Sequence, residues 1–187
     1  QSENLRLRQY SQRSVELIGK SKPILNLKEQ IERIANHNTP VLIIGESGTD
    51  KELVARYLHS KSESKDGPFV SVSVSGLSDN GSGVELFGKE SDGASYTGYL
   101  QQAEGGTLFL KDIADMDMAT QAKFHSALES QSFTRIDGVQ SIGLNTRIIA
   151  ATRYSLDEKV TQGEFRDELF FQLNVIPLKI PPLREDR

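Results

Sequence analysis

The 187-residue chain is 36% hydrophobic and 26% charged, which is ordinary for one globular domain with a buried core. Its net charge of −4 argues against binding to nucleic acid through bulk electrostatics, and the absence of cysteine excludes disulfides and thiolate metal sites. No apolar run approaches the roughly 20 residues of a membrane span, and no signal peptide is recognisable, so we expect a cytoplasmic protein without a membrane partner.

The first half of the chain alternates helical and strand patterns. Apolar residues at helical spacing predict a first helix, marked by Ile24, Leu27, Ile31 and Ile34. An apolar run predicts the first strand at residues 41–44, and the buried side of a second helix follows at Leu53, Val54, Tyr57 and Leu58. Alternation predicts a second strand at residues 69–74. We expect a polar, glycine-containing loop over residues 88–99, before a third strand at residues 107–110.

The second half predicts the rest of a sheet. A further helix is expected to present one face formed by Met118, Ala122, His125 and Leu128. Residues 133–142 predict a β-hairpin, because its Asp137-Gly138 dipeptide accepts the positive φ of a type I′ turn. The remaining strands and helices are expected at residues 147–151, 155–161, 164–172 and 175–180. Five strands that alternate with helices predict an α/β fold with a parallel sheet covered on both faces.

The segment after the first strand nearly matches a phosphate-binding P-loop: Gly45, Glu46, Ser47, Gly48, Thr49, Asp50, Lys51 and Glu52. The P-loop pattern is glycine, four residues, glycine, lysine, and then serine or threonine. Gly45 and Lys51 have the required separation, but Asp50 stands at the second glycine and would place negative charge beside an anionic ligand. The alternative is that Gly45 and Gly48 only shape a strand-to-helix turn.

Several segments, in order, resemble the central AAA+ domain of bacterial enhancer-binding proteins, which remodel RNA polymerase carrying sigma-54. The family P-loop GESGTGKE corresponds to GESGTDKE at residues 45–52, and the family strand GGTLFLDEI to GGTLFLKDI at residues 105–113. The sensor strand RxIAAT corresponds to residues 147–152, ending at Thr152, and FRxDLxYRLNVxPxxxPPLR to residues 165–184. The resemblance implies an AAA+ P-loop NTPase-like domain with a five-stranded parallel sheet and a β-hairpin insertion.

The differences from the family concentrate at catalytic positions. Lys111 replaces the aspartate that holds Mg²⁺, and an ammonium group cannot bind a metal ion. Asp112 replaces the glutamate that polarises water and is about one methylene shorter, while Ser73 stands at the switch asparagine. One arginine finger is retained as Arg166, but the second is Gln172, and a finger contributes roughly 10³–10⁵-fold to phosphoryl transfer. We therefore expect that ATP hydrolysis has been lost and that no metal is bound.

The family loop GAFTGA, which contacts sigma-54, is also altered. It corresponds to residues 93–99 once one extra residue is admitted, and Tyr96, Thr97 and Gly98 are the matched part. Tyr99 has a ring where the family has a methyl group. The alternative is an exposed turn that makes no such contact.

Three functions fit these patterns. The first is a regulatory module that assembles as a dimer to hexamer and binds ATP or ADP weakly, without Mg²⁺ or turnover. The second is a ligand sensor, because degenerate biofilm and flagellar regulators of the family bind cyclic di-GMP through arginines that Arg13 and Arg56 loosely match. The third is an active sigma-54-dependent ATPase, against which Lys111 argues.

The resemblance also implies a domain organisation. Residues 1–14 are expected to be a linker from an upstream domain resembling a response regulator, and residues 15–187 the AAA+ α/β subdomain. A helical lid and a DNA-binding helix-turn-helix domain are expected outside this chain. The implied partners are RNA polymerase holoenzyme, DNA through that outer domain, and further copies of the protein itself.

Overall fold

The structure is a computed structural model that describes residues 22–36, 39–77 and 82–180. The predicted linker, Arg13 and residues 181–187 lie outside the described residues. In chain order, the elements are α1 (Lys22–Ile34), β1 (Val41–Ile44), α2 (Lys51–Ser60), β2 (Phe69–Ser73), α3 (Ser82–Phe87), β3 (Gly88–Ser91), β4 (Ala94–Thr97), α4 (Tyr99–Gln102), β5 (Thr107–Lys111), α5 (Met118–Ser130), β6 (Ser132–Phe133), β7 (Ile142–Gly143), β8 (Arg147–Thr152), α6 (Asp157–Thr161), α7 (Asp167–Leu173) and β9 (Ile176–Lys179).

Five of these strands form one parallel sheet, in the order β2-β5-β8-β1-β9. β1 lies between β8 and β9, so that Val41 is in register with Ile149 on one side and Ile176 on the other. β5 pairs with β2 and β8, with Phe109 in register with Ser71 and Ile149. The predicted α/β fold and its five parallel strands are therefore confirmed.

Two apolar cores cover the two faces of the sheet, because successive side chains of a strand point to opposite faces. One face packs against α3, α5 and α7, and its largest buried side chains include Leu86, Phe87, Leu108, Leu110 and Phe124. The other face packs against α1 and α2, through Leu27, Ile31, Val54, Leu58 and Phe109. This arrangement fixes the carboxyl ends of the strands at one edge, where the functional positions lie.

The predicted loop over residues 88–99 is wrong, because this stretch contains an antiparallel hairpin formed by β3 and β4. Its strands are short and β4 is exposed throughout, so neither shows the apolar alternation that marks a half-buried strand. Two glycines with positive φ, Gly88 at 90° and Gly93 at 74°, shape the hairpin. The hairpin is therefore formed by backbone hydrogen bonds between β3 and β4, which an apolar sequence pattern does not indicate.

The hairpin predicted over residues 133–142 is present, but its turn is not type I′. Phe133 pairs with Ile142, as the sequence predicts. Asp137 has φ of 62°, whereas Gly138 does not have the positive φ that a type I′ turn requires at both central residues. The turn is instead closed by a 2.9 Å bond from the Gly138 backbone N–H to the Arg135 carbonyl.

The buried face of α5 also differs from the prediction. Met118 is 40% exposed, and the residues that face the core are Thr120, Gln121, Phe124, Ala127 and Leu128. Gln121 is fully buried because its amide donates to the carbonyls of Met116 and Glu164. A search for apolar residues at helical spacing does not identify a helix face that buries polar side chains, whose hydrogen bonds are satisfied inside the protein.

No helix of the described ranges 22–36, 39–77 and 82–180 is long and apolar enough to cross a membrane.

Candidate functional site at the carboxyl edge of the sheet

Three strand ends meet at one edge of the sheet, because β1, β5 and β8 are parallel neighbours. The P-loop segment follows β1, Lys111 and Asp112 stand at the end of β5, and Thr152 ends β8. Ligands of open α/β sheets bind outside the carboxyl ends of their strands. The predicted P-loop segment, the Walker B positions Lys111 and Asp112, and the sensor residue Thr152 are therefore brought together.

The P-loop segment is a tight turn with its tip exposed. Thr49 closes the turn, because its backbone N–H and its hydroxyl donate to the Glu46 carbonyl at 3.1 and 2.6 Å. Gly48 has φ of 95°, and Glu46, Ser47 and Gly48 are exposed. A Cβ at Gly45 would lie 2.6 Å from the Thr49 hydroxyl, so the first glycine of the pattern is required by close packing.

Lys51 folds back over this turn. Its ammonium donates to the carbonyls of Gly45 at 2.7 Å and Glu46 at 3.2 Å. Burial lowers the pKa of Lys51, nearby Asp112 opposes that effect, and Arg153 adds to it. The P-loop lysine therefore lies in the electrostatic field of the residues that end β5 and β8.

Asp50 caps the helix that follows the turn. Its carboxylate accepts a 3.2 Å hydrogen bond from the backbone N–H of Leu53, in the first turn of α2. Its φ is −92°, so this position does not need the conformational freedom of the glycine that the pattern has there. An acidic cap stabilises a helix start, and it uses one of the amides with which a P-loop helix faces phosphate.

Glu52 stands at the centre of a network that includes Lys111. Its Oε1 accepts a 2.7 Å bond from the Ser71 hydroxyl and lies 3.5 Å from Lys111 Nζ, and its Oε2 accepts from Arg56 at 3.3 Å. Burial of this carboxylate raises its pKa, but Ser71, Arg56 and Lys111 outweigh that effect, so the pKa of Glu52 is lowered. Lys111 is thus held at the site by an ion pair.

Asp112 has the left-handed backbone conformation, with φ of 56°, which is uncommon for a residue other than glycine. Its carboxylate lies 3.9 Å from Nε of Arg153, the residue that follows β8. Arg153 was not among the residues predicted from the sequence. The sequence feature that could have identified it is a basic residue directly after the sensor strand, because the parallel sheet places that residue beside the end of β5.

Two other predicted positions lie at the same edge. Ser73 is in register with Lys111, and its hydroxyl is 2.9 Å from that of Ser75. Thr152 is buried, its hydroxyl donates to the Tyr154 carbonyl at 2.8 Å, and its carbonyl accepts from the Gly45 backbone at 3.1 Å. Thr152 therefore anchors the start of the P-loop segment to β8.

The two arginine-finger positions lie elsewhere, one directly before α7 and one within it. Arg166 precedes the helix, and its backbone N–H donates to Gln121 of α5 at 2.8 Å. Within the described part of the chain, the buried Nε of Arg166 has no hydrogen-bond partner. Gln172 is bound to α5 instead, because its Oε1 lies 2.7 Å from Nδ1 of His125. The Gln172 side chain therefore connects α7 to α5 within the domain.

The predicted sigma-contact residues occupy the second strand and the base of the β3–β4 hairpin rather than its tip. Tyr96 is 46% exposed on β4, Thr97 is in register with Gly88, and Gly98 precedes α4. A Cβ at Gly98 would lie 2.4 Å from the Gly88 backbone nitrogen, so glycine is required there. The exposed turn of the hairpin is formed by Asp92 and Gly93.

Of the two arginines predicted to bind cyclic di-GMP, only Arg56 lies in the described residues. Its guanidinium is 4.6 Å from the centre of the Phe69 ring and is paired with Glu52. Its side chain remains 48% exposed.

The sequence matches the family model described as the sigma-54 interaction domain over residues 17–179. The chain is 43% identical over 176 residues to the nitrogen fixation protein VnfA of Azotobacter vinelandii, covering 90% of this chain and 33% of VnfA. It is 39% identical over 180 residues to the DNA-binding transcriptional regulator NtrC of Rhizobium meliloti, covering 94% of this chain and 37% of NtrC. The chain spans about a third of the length of these relatives.

Solved structures agree with this assignment. The crystal structure of NtrX from Brucella abortus in complex with ADP has a TM-score of 0.84 and 37% identity, covering 99% of this chain and 43% of NtrX. The NtrX complex with ATP has a TM-score of 0.82 and 38% identity, covering 89% of this chain and 39% of NtrX. With its family match over residues 17–179 and a P-loop segment at the edge of a five-stranded parallel sheet, the chain belongs to the sigma-54 interaction domain family of AAA+ P-loop domains.

Proposed function

We propose that this domain is a regulatory AAA+ module of a bacterial transcriptional activator, able to bind nucleotide but not to hydrolyse it. The single observation that supports this proposal best is Lys111. It stands at the end of β5, where the resemblance expects a metal-binding aspartate, and its ammonium pairs with Glu52 at 3.5 Å. Hydrolysis in P-loop NTPases depends on Mg²⁺ held at this place, so a cation fixed there argues against turnover.

Two further residues weaken the same chemistry. The Asp112 side chain is shorter than the family glutamate. Its carboxylate also lies 3.9 Å from Nε of Arg153, and this cation orients it. Gln172 is bound to His125 and supplies no guanidinium to a neighbouring subunit. Loss of one arginine finger alone costs roughly 10³–10⁵-fold in rate.

Nucleotide binding itself has support. Lys51 supplies an ammonium at the P-loop turn, and the first turn of α2 supplies backbone amides. The relative NtrX was crystallised in complex with ATP and with ADP. We propose that ATP or ADP binds here weakly, because the Asp50 carboxylate uses a helix amide and repels phosphate.

Binding of cyclic di-GMP near Arg56 is a second candidate. The observation that favours it is the exposed guanidinium of Arg56, which already packs over the Phe69 ring, as guanidinium groups pack over aromatic rings of ligands. Titration with cyclic di-GMP, in the protein and in Arg56→Gln, tests it. Binding that is unchanged in the variant would exclude Arg56 from the site.

By resemblance to the family, we propose that the whole protein self-associates, contacts RNA polymerase holoenzyme and binds DNA through a helix-turn-helix domain outside this chain, with residues 1–14 as a linker. The alternative is an active sigma-54-dependent ATPase that remodels the polymerase.

Reconstituted transcription separates these functions. The full-length protein is assayed with sigma-54 holoenzyme and with holoenzyme that contains the housekeeping sigma factor, each with ATP and with a non-hydrolysable analogue. We expect no activation that requires both sigma-54 and hydrolysable ATP. Activation that needs sigma-54 and hydrolysis, and that Lys51→Ala abolishes, would establish the alternative.

A further inference from the structure

The two positions that hold Mg²⁺ in P-loop NTPases form an ion pair with each other in this chain. Those positions are the residue after the P-loop lysine and the acid of the Walker B strand. Here they are Glu52 and Lys111, whose charged groups are 3.5 Å apart. A cation of the protein itself therefore pairs with the carboxylate that stands at the other of these two positions.

The nearby carboxylates do not fit a divalent cation either. Asp112 is 3.9 Å from Arg153, and Asp50 accepts from the α2 backbone. Across the described residues, no group of three or more histidine, cysteine, aspartate or glutamate side chains could hold a metal ion. Mg²⁺ prefers several oxygen ligands and no neighbouring cation, so this edge disfavours it.

We propose that Lys111, held by Glu52, is a tethered cation that replaces Mg²⁺, so that the P-loop binds the nucleotide as the metal-free anion. This inference rests on the nucleotide binding proposed above. The Lys111 side chain is 41% exposed at the ion pair, and its flexible stem can present the ammonium to a β-phosphate oxygen while Glu52 keeps its bonds to Ser71 and Arg56. Mg²⁺ neutralises part of the phosphate charge, so Lys51 and Lys111 attract the magnesium complex of the nucleotide less than the free anion. The Lys111 ammonium would also repel the Mg²⁺ ion itself.

The sign of the magnesium effect tests this inference. ADP is titrated into the full-length protein by calorimetry, once with EDTA and once with excess MgCl₂, at matched ionic strength. We expect ADP to bind severalfold more tightly in EDTA, which is the reverse of what a P-loop with a metal-binding acid requires. ADP is used because it removes hydrolysis from the measurement.

Three variants assign the effect to Lys111. Lys111→Met removes the ammonium and should weaken metal-free binding roughly tenfold, the change expected from losing one close charge interaction near a surface. Lys111→Asp should reverse the sign, so that MgCl₂ tightens binding. Lys65→Asp makes the same change of charge at an exposed position and should leave the sign as it is in the unaltered protein. Circular dichroism of each variant checks that it is folded.

Each outcome decides the inference. Tighter binding in EDTA, weakened in Lys111→Met, supports it. Tighter binding in MgCl₂, equal affinity in EDTA and in MgCl₂, or equal affinity in the protein and in Lys111→Met overturns it, and none of these results bears on the proposed absence of turnover. Failure to bind ADP both in EDTA and in MgCl₂ overturns it together with the proposed nucleotide binding. A turnover assay then tests the rest of the proposed function separately.

Discussion

The carboxylate of Asp50 accepts a 3.2 Å hydrogen bond from the backbone N–H of Leu53, at the start of the helix that would face a bound phosphate. A side chain of the protein thus uses the N-terminal end of α2 in the way that an anionic ligand would. The helix start is stable without a ligand, and a phosphate must approach a group of its own charge.

Asp50→Asn separates charge from capping. Asparagine caps a helix about as well as aspartate, so the free energy of unfolding should change little. Removal of the carboxylate charge should tighten ATP binding roughly fivefold to tenfold, in line with one weakened charge repulsion near a surface. Calorimetric titration and urea denaturation measure the two quantities. Equal ATP affinity in the two proteins would show that the Asp50 carboxylate does not oppose the nucleotide.

Glu52 should make stability depend on pH in the acid range. Burial raises its pKa, but Ser71, Arg56 and Lys111 reverse that effect and lower it below the ordinary value of 4.5. A carboxyl group whose pKa is lower in the folded state contributes stability above its unfolded pKa and loses it as the pH falls through its folded pKa. Urea denaturation should therefore show a fall in the free energy of unfolding below about pH 4.5, which is smaller in Glu52→Gln.

Glu63→Gln is the control for that experiment, because Glu63 is an exposed carboxylate outside the network. Its acid-range profile should match that of the unaltered protein. Identical profiles in Glu52→Gln and in the unaltered protein would contradict the role given to the Glu52 network.

The carboxyl edge illustrates what the sequence could and could not predict. Five parallel strands and the P-loop turn follow from apolar runs and glycine spacing, which are local patterns. The pairs Glu52–Lys111 and Asp112–Arg153 join residues that are far apart in the chain, so only the order of strands reveals them. The β3–β4 hairpin was missed for another reason, since an exposed β4 shows no apolar pattern.

Gln172→Ala should destabilise the protein, because it removes the bond between α7 and His125 of α5. The expected loss is about 1 kcal/mol, the usual net contribution of one hydrogen bond. Gln172→Arg should not restore hydrolysis, because Lys111 remains where the resemblance expects a metal-binding aspartate. Thermal denaturation and a phosphate-release assay measure these two effects, and turnover in Gln172→Arg alone would contradict the importance of Lys111.

Arg135 should couple the two hairpins. Its guanidinium is 2.6 Å from Glu90 of β3 and donates to Gln101 of α4 at 3.0 Å, while the backbones of Glu90 and Ile136 are hydrogen-bonded at 2.9 Å. In Arg135→Met, the amides of Glu90 and Ile136 should exchange with deuterium faster, because the side chain no longer holds the hairpins together. Lys65→Met is the exposed control. Unchanged exchange at both amides would show that the backbone bonds suffice.

The most direct test of the account is steady-state ATP turnover by the full-length protein at saturating Mg-ATP, with Lys51→Ala as the control. Because Lys111 stands where the resemblance expects a metal-binding aspartate and pairs with Glu52, we predict phosphate release that is indistinguishable between the two proteins. Steady turnover near 1 per second, which lies in the ordinary enzyme range and is lost in Lys51→Ala, would contradict it.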